Sequence, residues 1–141
     1  MQRLPTWDEY YLEVAKAVAQ RSDCSLSSAG AVIVAHDQRL VATGFQSTGT
    51  ENCLDGNTCH AGCEAEHAEI IALANADPAR IPGGAVYATA RPCGPCIQRI
   101  DATTLHRVVW PDGSHPTRAY WTLPQPTGPI RQGWDTLNVN G

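Results

Sequence analysis

Residues 85–102, AVYATARPCGPCIQRIDA, form the stretch of sequence that decides both the fold and the chemistry of this chain. Ala85 to Ala90 is a short run of small and apolar residues, typical of a buried strand. A helix is predicted from Cys93 to Ala102, because proline and glycine mark its start. The junction between strand and helix therefore places Cys93 and Cys96 at the very beginning of a helix.

A second helix is predicted upstream, and it too begins with residues capable of chemistry. The segment from Ala65 to Ala76 has helical composition and ends before Asp77-Pro78. His67 and Glu69 stand near its start. Because residues two apart do not share a lateral helix face, their side chains converge only where the helix points end-on at a common site.

The two helix starts together supply one imidazole, two thiols and one carboxyl group. His67, Cys93 and Cys96 are typical zinc ligands, and three protein ligands leave a fourth position open for water. Zinc acidifies such a water, and an adjacent carboxylate that is not a ligand can then move the proton. The helix dipoles favour the thiolate forms of the cysteines. The sequence therefore predicts a catalytic zinc site with Glu69 as the catalytic residue.

The remaining segments predict an α/β domain. Thr6 and Glu9 form a capping box ahead of an amphipathic first helix. The segments 29–35 and 40–45 predict a β-hairpin, and residues 107–110 predict a further short strand. Strands that alternate with helices indicate a mixed sheet of four or five strands with helices on both faces.

The chain is predicted to form a single domain over residues 1–141, with a core of about 7–110. Residues 111–141 are rich in proline, which precludes long regular structure, so they are predicted to form a C-terminal extension. The extension is expected to wrap the body of the domain or an oligomer partner. Because it lacks an evident helix and strand, we expect the sheet to have one strand fewer than the sheets of related proteins. His36, His106 and His115 are expected at the surface.

Composition and charge exclude several classes of function. The chain has 10 Lys and Arg residues against 14 Asp and Glu residues, so it lacks the excess of positive charge on which nucleic-acid binding depends. No stretch is apolar enough to cross a membrane, and the amino terminus lacks a signal-peptide pattern. We therefore expect a cytoplasmic protein, whose six cysteines are better explained by metal binding or catalysis than by disulfides.

The complete pattern H-x-E followed by P-C-x-x-C is the signature of zinc-dependent nucleobase deaminases. More narrowly, residues 7–110 resemble the deoxycytidylate deaminase branch of the cytidine deaminase-like superfamily. The segments that carry this resemblance, besides the signature, are Arg21-Ser22-Asp23-Cys24, Gly30-Ala31-Val32-Ile33-Val34, Ala42-Thr43-Gly44-Phe45, Cys63, Val86-Tyr87-Ala88-Thr89 and Arg107-Val108-Val109-Trp110. The resemblance implies a three-layer α/β/α fold of the cytidine deaminase type.

The resemblance also implies the reaction. A free cytosine nucleotide or nucleoside, with dCMP as first choice, would be hydrolysed to the uracil compound and ammonia, with Glu69 moving the protons. Two alternatives stay open: a deaminase of guanine, adenine or transfer-RNA adenosine, and a non-catalytic zinc module that scaffolds other proteins. Glu69 argues against the scaffold. Small members of this superfamily usually complete their pockets at subunit contacts, which implies a homo-oligomer.

Three residues are candidates for contact with the substrate. In the family, the residue after the zinc-binding histidine, here Ala68, commonly contacts the base. Gln46 stands where the branch usually has an asparagine that contacts the sugar. Arg91 stands where relatives often carry glutamate, so it puts a positive charge near the mouth of the site, where it can bind phosphate or pair with a surface acid.

The other four cysteines suggest a second zinc site. Cys24, Cys53, Cys59 and Cys63 amount to four soft ligands, which would close a structural site. Relatives in this branch often have a structural zinc against the same loop. His60 beside Cys59 offers an alternative ligand, ranked second because Cys59 and Cys63 keep their family positions. Such a site would restrain the long glycine-containing loop 46–64 and hold Gln46 against the pocket.

Overall fold

The computed structural model describes residues 3–22, 28–47 and 66–123. Within these ranges the chain forms five strands and four α-helices around one mixed sheet. The elements are α1 Trp7–Ala19, β1 Gly30–Val34, β2 Leu40–Phe45, α2 Ala68–Asn75, β3 Ala85–Ala88, α3 Gly94–Asp101, β4 Arg107–Trp110, β5 Gly113–Pro116 and α4 Arg118–Thr122, with a 3₁₀ turn at Pro78–Arg80. The predicted α/β architecture is confirmed.

The sheet has the strand order β2-β1-β3-β4-β5. The predicted hairpin is present, since β1 and β2 pair antiparallel with Gly30 opposite Phe45. Strands β3 and β4 are the parallel pair, joined through α3. Because parallel strands end at the same edge of a sheet, the carboxyl ends of β3 and β4 lie together, and the start of α3 follows directly from that edge.

Each face of the sheet carries its own apolar core. Ala31 and Ile33 of β1 face α2 and α3, whereas Val32 and Val34 face α1. This alternation follows from the two-residue period of a strand. All five residues of β1 are buried, as expected of a strand covered on both faces. Helices therefore lie on both faces of the sheet, as the sequence predicts.

Helix α1 is capped as predicted and is anchored to the sheet at its first turn. The Thr6 side chain accepts a hydrogen bond from the Glu9 N–H, and the Glu9 carboxylate accepts one from the Thr6 N–H. Next to this cap, the Asp8 carboxylate accepts hydrogen bonds from the Tyr87 hydroxyl and the Arg107 guanidinium, both at 2.7 Å. Burial, together with Asp8, raises the pKa of Tyr87 above its ordinary value. The amino end of α1 is thus attached to both β3 and β4.

The segment after residue 110 contains regular structure that the sequence analysis did not predict. Strand β5 pairs antiparallel with β4 from Gly113 to Pro116, and the short helix α4 follows. The expectation that this segment lacks a strand is wrong, whereas the five strands agree with the predicted four or five. Pro116 is compatible with this strand because β5 lies at the edge of the sheet and pairs with β4 alone. A residue without an N–H is tolerated there, since the other side of the strand has no neighbouring strand to bond.

His106 is buried, with 4% of its surface exposed, so its predicted surface position is wrong. Its backbone N–H donates to the Gly84 carbonyl, and its own carbonyl accepts from the Thr117 N–H. The imidazole packs edge-on against the Tyr120 ring at 5.9 Å between centroids. Helix α4, which the sequence did not predict, is what covers this histidine. His36 is half-buried and His115 is exposed.

Across the described ranges, no helix is both long and apolar enough to serve as a membrane span.

We expect Asp8→Asn to lower the free energy of unfolding by about 1 kcal/mol, because an amide cannot replace the charged acceptor shared by Tyr87 and Arg107. The loss should shrink at high salt, since the Asp8–Arg107 pair is partly exposed. Urea unfolding would measure it. Glu13→Gln, which removes the exposed Glu13–Lys16 pair, is the matched control and should change stability very little. Equal effects of the two substitutions would contradict the anchoring role of Asp8.

Candidate metal centre and active site

The candidate ligands occupy the N-cap positions of two helices. His67 is the N-cap of α2 and Cys93 is the N-cap of α3, both with extended backbone and neither with a side-chain capping hydrogen bond. Serine, threonine, aspartate and asparagine are the residues that stabilise an N-cap. Histidine at one position and cysteine at the other do not provide that stabilisation. Their side chains instead project from the helix ends towards one another. The end-on geometry expected from the sequence is present.

The structure brings three of the predicted ligands into one group. The Nδ1 atom of His67 lies 3.1 Å from the Cys96 Sγ atom and 3.4 Å from the Cys93 Sγ atom. All three donor atoms lie within 4.8 Å of one another, and both thiols are free. Zinc bonds of about 2.0–2.3 Å place ligand atoms at separations of this order. One imidazole and two thiols therefore fit a three-ligand zinc site with a fourth position open.

Glu69 lies beside this group without belonging to it. It is the second residue of α2, and only 7% of its surface is exposed. Burial raises the pKa of the Cys96 thiol, and the Cys93 thiol and the negative charge of Glu69 raise it further. In the metal-free protein Cys96 is therefore protonated at neutral pH, so that metal binding there must release a proton. The carboxyl group is close enough to sense the charge at the candidate metal position.

A cavity of about 240 Å³ opens onto the three candidate ligands. Its lining consists of Glu66, His67, Ile70, Cys93, Pro95, Cys96 and Arg99. Two other concavities lie elsewhere: one of about 190 Å³ beside Gly83, Gly84 and His106, and a mostly apolar groove of about 580 Å³ along the outer face of α1. Neither contains the His/Cys/Cys group, so of these three concavities it is the one of about 240 Å³ that adjoins the candidate ligands.

The position of α2, and with it of His67 and Glu69, depends on a close approach to β2. A Cβ atom built on Gly44 would lie 2.4 Å from both the Ala68 carbonyl oxygen and the Ala72 nitrogen. These are backbone atoms of the first two turns of α2. Only glycine at position 44 permits this contact, which sequence reasoning missed because a glycine inside a strand does not reveal which element approaches it.

Ala68 takes part in this helix–strand contact, and Gln46 lies two residues beyond Gly44 in the chain. Ala68 is completely buried and begins α2. Gln46 follows β2; its N–H donates to the Ala29 carbonyl, and its carbonyl accepts from the Ser22 hydroxyl at 2.7 Å. The next residue, Ser47, exchanges backbone hydrogen bonds with Glu66. The chain that leaves β2 is therefore held against the chain that enters His67.

Arg91 lies between β3 and the start of α3 and is exposed. Its guanidinium carbon lies 5.8 Å from the centroid of the Trp110 ring, which is the geometry of a cation–π contact. Arg91 does not line the cavity at the candidate metal group, whereas Arg99, which sequence reasoning missed, does. The three-residue spacing between Cys96 and Arg99 on one helix is the signal that could have identified it.

Cys24, Cys53, Cys59 and Cys63, together with His60, lie outside the described residues.

Comparison with known proteins points to one family. Residues 5–111 match the family model of the cytidine and deoxycytidylate deaminase zinc-binding region. The chain is 37% identical over 126 residues to the deoxycytidylate deaminase of Mycobacterium phage D29, covering 78% of this chain and 98% of the phage protein. It is 32% identical over 120 residues to the deoxycytidylate deaminase of Schizosaccharomyces pombe, covering 75% of this chain and 37% of the yeast protein.

A solved structure shows the same fold. The crystal structure of the dCMP deaminase from cyanophage S-TIM5 in apo form superposes with a TM-score of 0.60 at 24% identity, covering 76% of this chain and 83% of that one. Of the two sequence relatives, the chain spans nearly all of the phage protein and little more than a third of the yeast protein.

We expect Gly44→Ala to weaken zinc binding about tenfold or more, because the new methyl group must push α2 away from β2 and carry His67 with it. Gly94→Ala is the matched control: it lies next to Cys93, yet a Cβ there meets no atom within 4 Å. Competition with a chromogenic chelator measures the affinity, and thermal unfolding checks that both variants fold. Equal zinc affinities in the two variants would contradict the proposed dependence on the Gly44 contact.

Proposed function

The chain belongs to the cytidine and deoxycytidylate deaminase zinc-binding family, and we propose that it hydrolyses the cytosine of a free pyrimidine nucleotide, with dCMP as the first substrate. The observation that carries the proposal is the meeting of His67, Cys93 and Cys96 beside the buried Glu69 at two helix ends. The name of the phage relative, a deoxycytidylate deaminase over almost its whole length, supports dCMP.

We propose that His67, Cys93 and Cys96 hold the catalytic zinc. When bound by three protein ligands, zinc acts as a Lewis acid that makes a water molecule nucleophilic at neutral pH. Cys93 and Cys96 would hold the ion as thiolates, so binding must offset the burial that raises the pKa of the Cys96 thiol in the metal-free protein. Two thiolates and a neutral imidazole balance the charge of the ion, so the pull on the water proton is weaker than in an all-histidine site. A separate proton acceptor is correspondingly necessary.

Glu69 is proposed to be that acceptor. In the overall reaction the oxygen of water bonds to C4 of cytosine, the bond between C4 and its amino nitrogen breaks, and ammonia leaves. Glu69 takes one proton from the water and delivers it to the neighbouring ring nitrogen N3. It then takes the second proton from the new hydroxyl group on C4, which becomes the carbonyl of uracil, and transfers that proton to the departing amine. The burial of Glu69 suits this task, because a carboxyl group screened from bulk water exchanges its proton with the substrate rather than with solvent.

Gln46, Ala68 and Arg91 are proposed substrate contacts. The Ala68 backbone at the first turn of α2 suits contact with the base, and Gln46, held by the strand that leads to Ser47, suits contact with the sugar. Arg91 would approach from the side of Trp110. We also propose that the active protein is a homo-oligomer and cytoplasmic. The exposed side chains of Tyr120, Trp121 and Leu123 at α4 are consistent with a subunit contact.

We expect Glu69→Gln to lower kcat for dCMP by about 10²–10⁴-fold, because glutamine keeps the shape of the side chain but cannot carry the proton. Zinc content should stay at the level of the unsubstituted protein. Release of ammonia from dCMP, with metal analysis on the same sample, measures both quantities. Glu13→Gln is the control: Glu13 lies on α1, far from the starts of α2 and α3, so this variant should retain full activity.

An unchanged rate in zinc-loaded Glu69→Gln would overturn the assignment of Glu69. Ammonia release from guanine, adenine or transfer-RNA adenosine in place of cytosine compounds would move the reaction to another base. No turnover of any of these by the zinc-loaded protein would favour the scaffold.

We propose a second, structural zinc held by Cys24, Cys53, Cys59 and Cys63, with His60 as the alternative ligand. Elemental analysis should then find two zinc ions per chain in the purified protein, and one in Cys59→Ser. His67→Ala should lose the other ion. Loss of an ion in His60→Ala, with retention of both ions after serine replaces one of the four cysteines, would select the alternative set of three thiolates and one imidazole. A single ion in the unsubstituted protein would contradict the second site.

A further inference from the structure

The pairing of β3 with β1 ends at Thr89 in an irregular hydrogen bond, four residues before Cys93. The Thr89 N–H donates to the Gly30 carbonyl at 3.0 Å, which continues the antiparallel pairing by one residue. In a regular hydrogen-bonded pair the Gly30 N–H would donate in return to the Thr89 carbonyl. It donates instead to the side-chain oxygen of Thr89, Oγ1, at 3.1 Å. The hydroxyl thus takes the place of the backbone carbonyl.

This replacement affects the direction in which the chain leaves the sheet. Because the hydroxyl satisfies the Gly30 N–H, the Thr89 carbonyl is free to turn away from β1, and the backbone bends at Thr89 and Ala90. Pro92 follows as a buried residue, and Cys93 is then the N-cap of α3. Four residues span at most about 14 Å. A change of direction at Thr89 is therefore transmitted to the start of α3 over a short path.

Gly30 is a donor in a fixed position, because α1 lies directly against it. A Cβ atom built on Gly30 would lie 2.4 Å from the Ala15 carbonyl oxygen and 2.6 Å from the Ala19 nitrogen. Gly30 is buried, and on its other edge it pairs with Phe45 of β2. Backbone contact on one face and strand pairing on both edges leave its N–H little freedom to follow a displaced acceptor.

The same end of the β1–β2 hairpin positions the other helix that carries a candidate ligand. In the register of the hairpin, the pair that contains Gly44 is next to the pair that contains Gly30. Gly44 permits the close contact of β2 with α2, and so positions His67. Gly30 is linked through Thr89 to the start of α3, and so to Cys93. Neighbouring pairs of one hairpin therefore determine where both helices begin.

We propose that Thr89 is a positioning residue for the candidate zinc site: its hydroxyl accepts the Gly30 N–H and so sets the path of the chain to Cys93. The proposal rests on the proposed function. Thr89 does not line the cavity at the candidate ligands, so it acts through Cys93 rather than by touching a bound molecule. Valine keeps the shape of threonine but offers no acceptor. The Gly30 N–H must then remain unpaired or draw the carbonyl of residue 89 towards β1, which redirects the chain.

Competition for zinc with a chromogenic chelator tests this role on the purified protein without requiring turnover. The relevant ion is the one that is lost in His67→Ala. We expect Thr89→Val to raise the Kd for this ion about tenfold or more. Thr89→Ser retains the hydroxyl, so its Kd for zinc should stay within about twofold of that of the unsubstituted protein.

Thr103→Val is the matched control, because Thr103 also uses its hydroxyl to hold the backbone, but at the other end of α3. This hydroxyl donates to the Ile100 carbonyl at 2.6 Å and accepts from the Leu105 N–H at 3.2 Å. Thr103→Val should lower the Tm at least as much as Thr89→Val, since it removes more hydrogen bonds. Its Kd for zinc should nevertheless stay within about twofold of the unsubstituted value, which separates positioning from general stability.

Equal Kd values for zinc in Thr89→Val and Thr103→Val would overturn the proposal, as would a loss of affinity in Thr89→Ser as large as that in Thr89→Val. Thr89→Ala also removes the hydroxyl and should weaken zinc binding, so it decides the question if Thr89→Val does not fold. Zinc affinity that depends on the Thr89 hydroxyl, in a protein that releases no ammonia from dCMP, would uphold the role of Thr89 and refute the proposed function. The two failures are therefore distinguishable.

Discussion

The contact of α2 with β2 at Gly44 determines where the candidate site forms. Backbone atoms of Ala68 and Ala72 occupy the space that any side chain at position 44 would fill. Helix α2 consequently lies low on the sheet, with His67 at its amino end directed towards the start of α3. If side chains separated the two elements, α2 would lie farther from the sheet, because the size of the side chains at a contact sets the distance between packed elements. The arrangement of the three donor atoms depends on this one backbone approach.

Local stability is sacrificed at the two helix starts. His67 and Cys93 stand at N-cap positions, where a hydroxyl or carboxyl side chain would stabilise the helix, and neither makes a capping hydrogen bond. Thr6 at α1, Asp77 at the 3₁₀ turn and Thr117 at α4 all make the expected caps. The contrast is informative, because sites at which local preferences are set aside tend to be functional. A metal ion bound by both residues would restore the lost stability by linking the two helices.

One face of the sheet carries the anchored helix α1, and the other face carries the candidate site. Helix α1 covers one face and is anchored to the sheet by the hydrogen bonds of Asp8 with Tyr87 and Arg107. Helices α2 and α3 cover the other face and carry the donor atoms and Glu69. Charges in the candidate site are also unevenly distributed, with Glu66 on the α2 side of the cavity and Arg99 on the α3 side. The packing of α1 on one face can therefore stabilise the sheet that carries the partly exposed candidate site on the other face.

Much of the fold and of the candidate site depends on short-range patterns, which the sequence by itself determines. The capping box at Thr6, the hairpin from Gly30 to Phe45 and the two helix starts at His67 and Cys93 follow from short-range patterns, and the structure agrees with each of them. The residue types at those starts also predict zinc chemistry, because spacing and ligand preference are properties of neighbouring residues.

Only the tertiary structure decided the features that depend on distant parts of the chain. His106 is buried because α4 folds back over it, and β5 forms because β4 offers a free edge. Arg99 lines the cavity whereas Arg91 lies against Trp110, although both flank the same pair of cysteines in sequence. Burial and the direction of a long side chain are set by whichever element packs nearby, and a sequence pattern contains no information about that neighbour until the chain has folded.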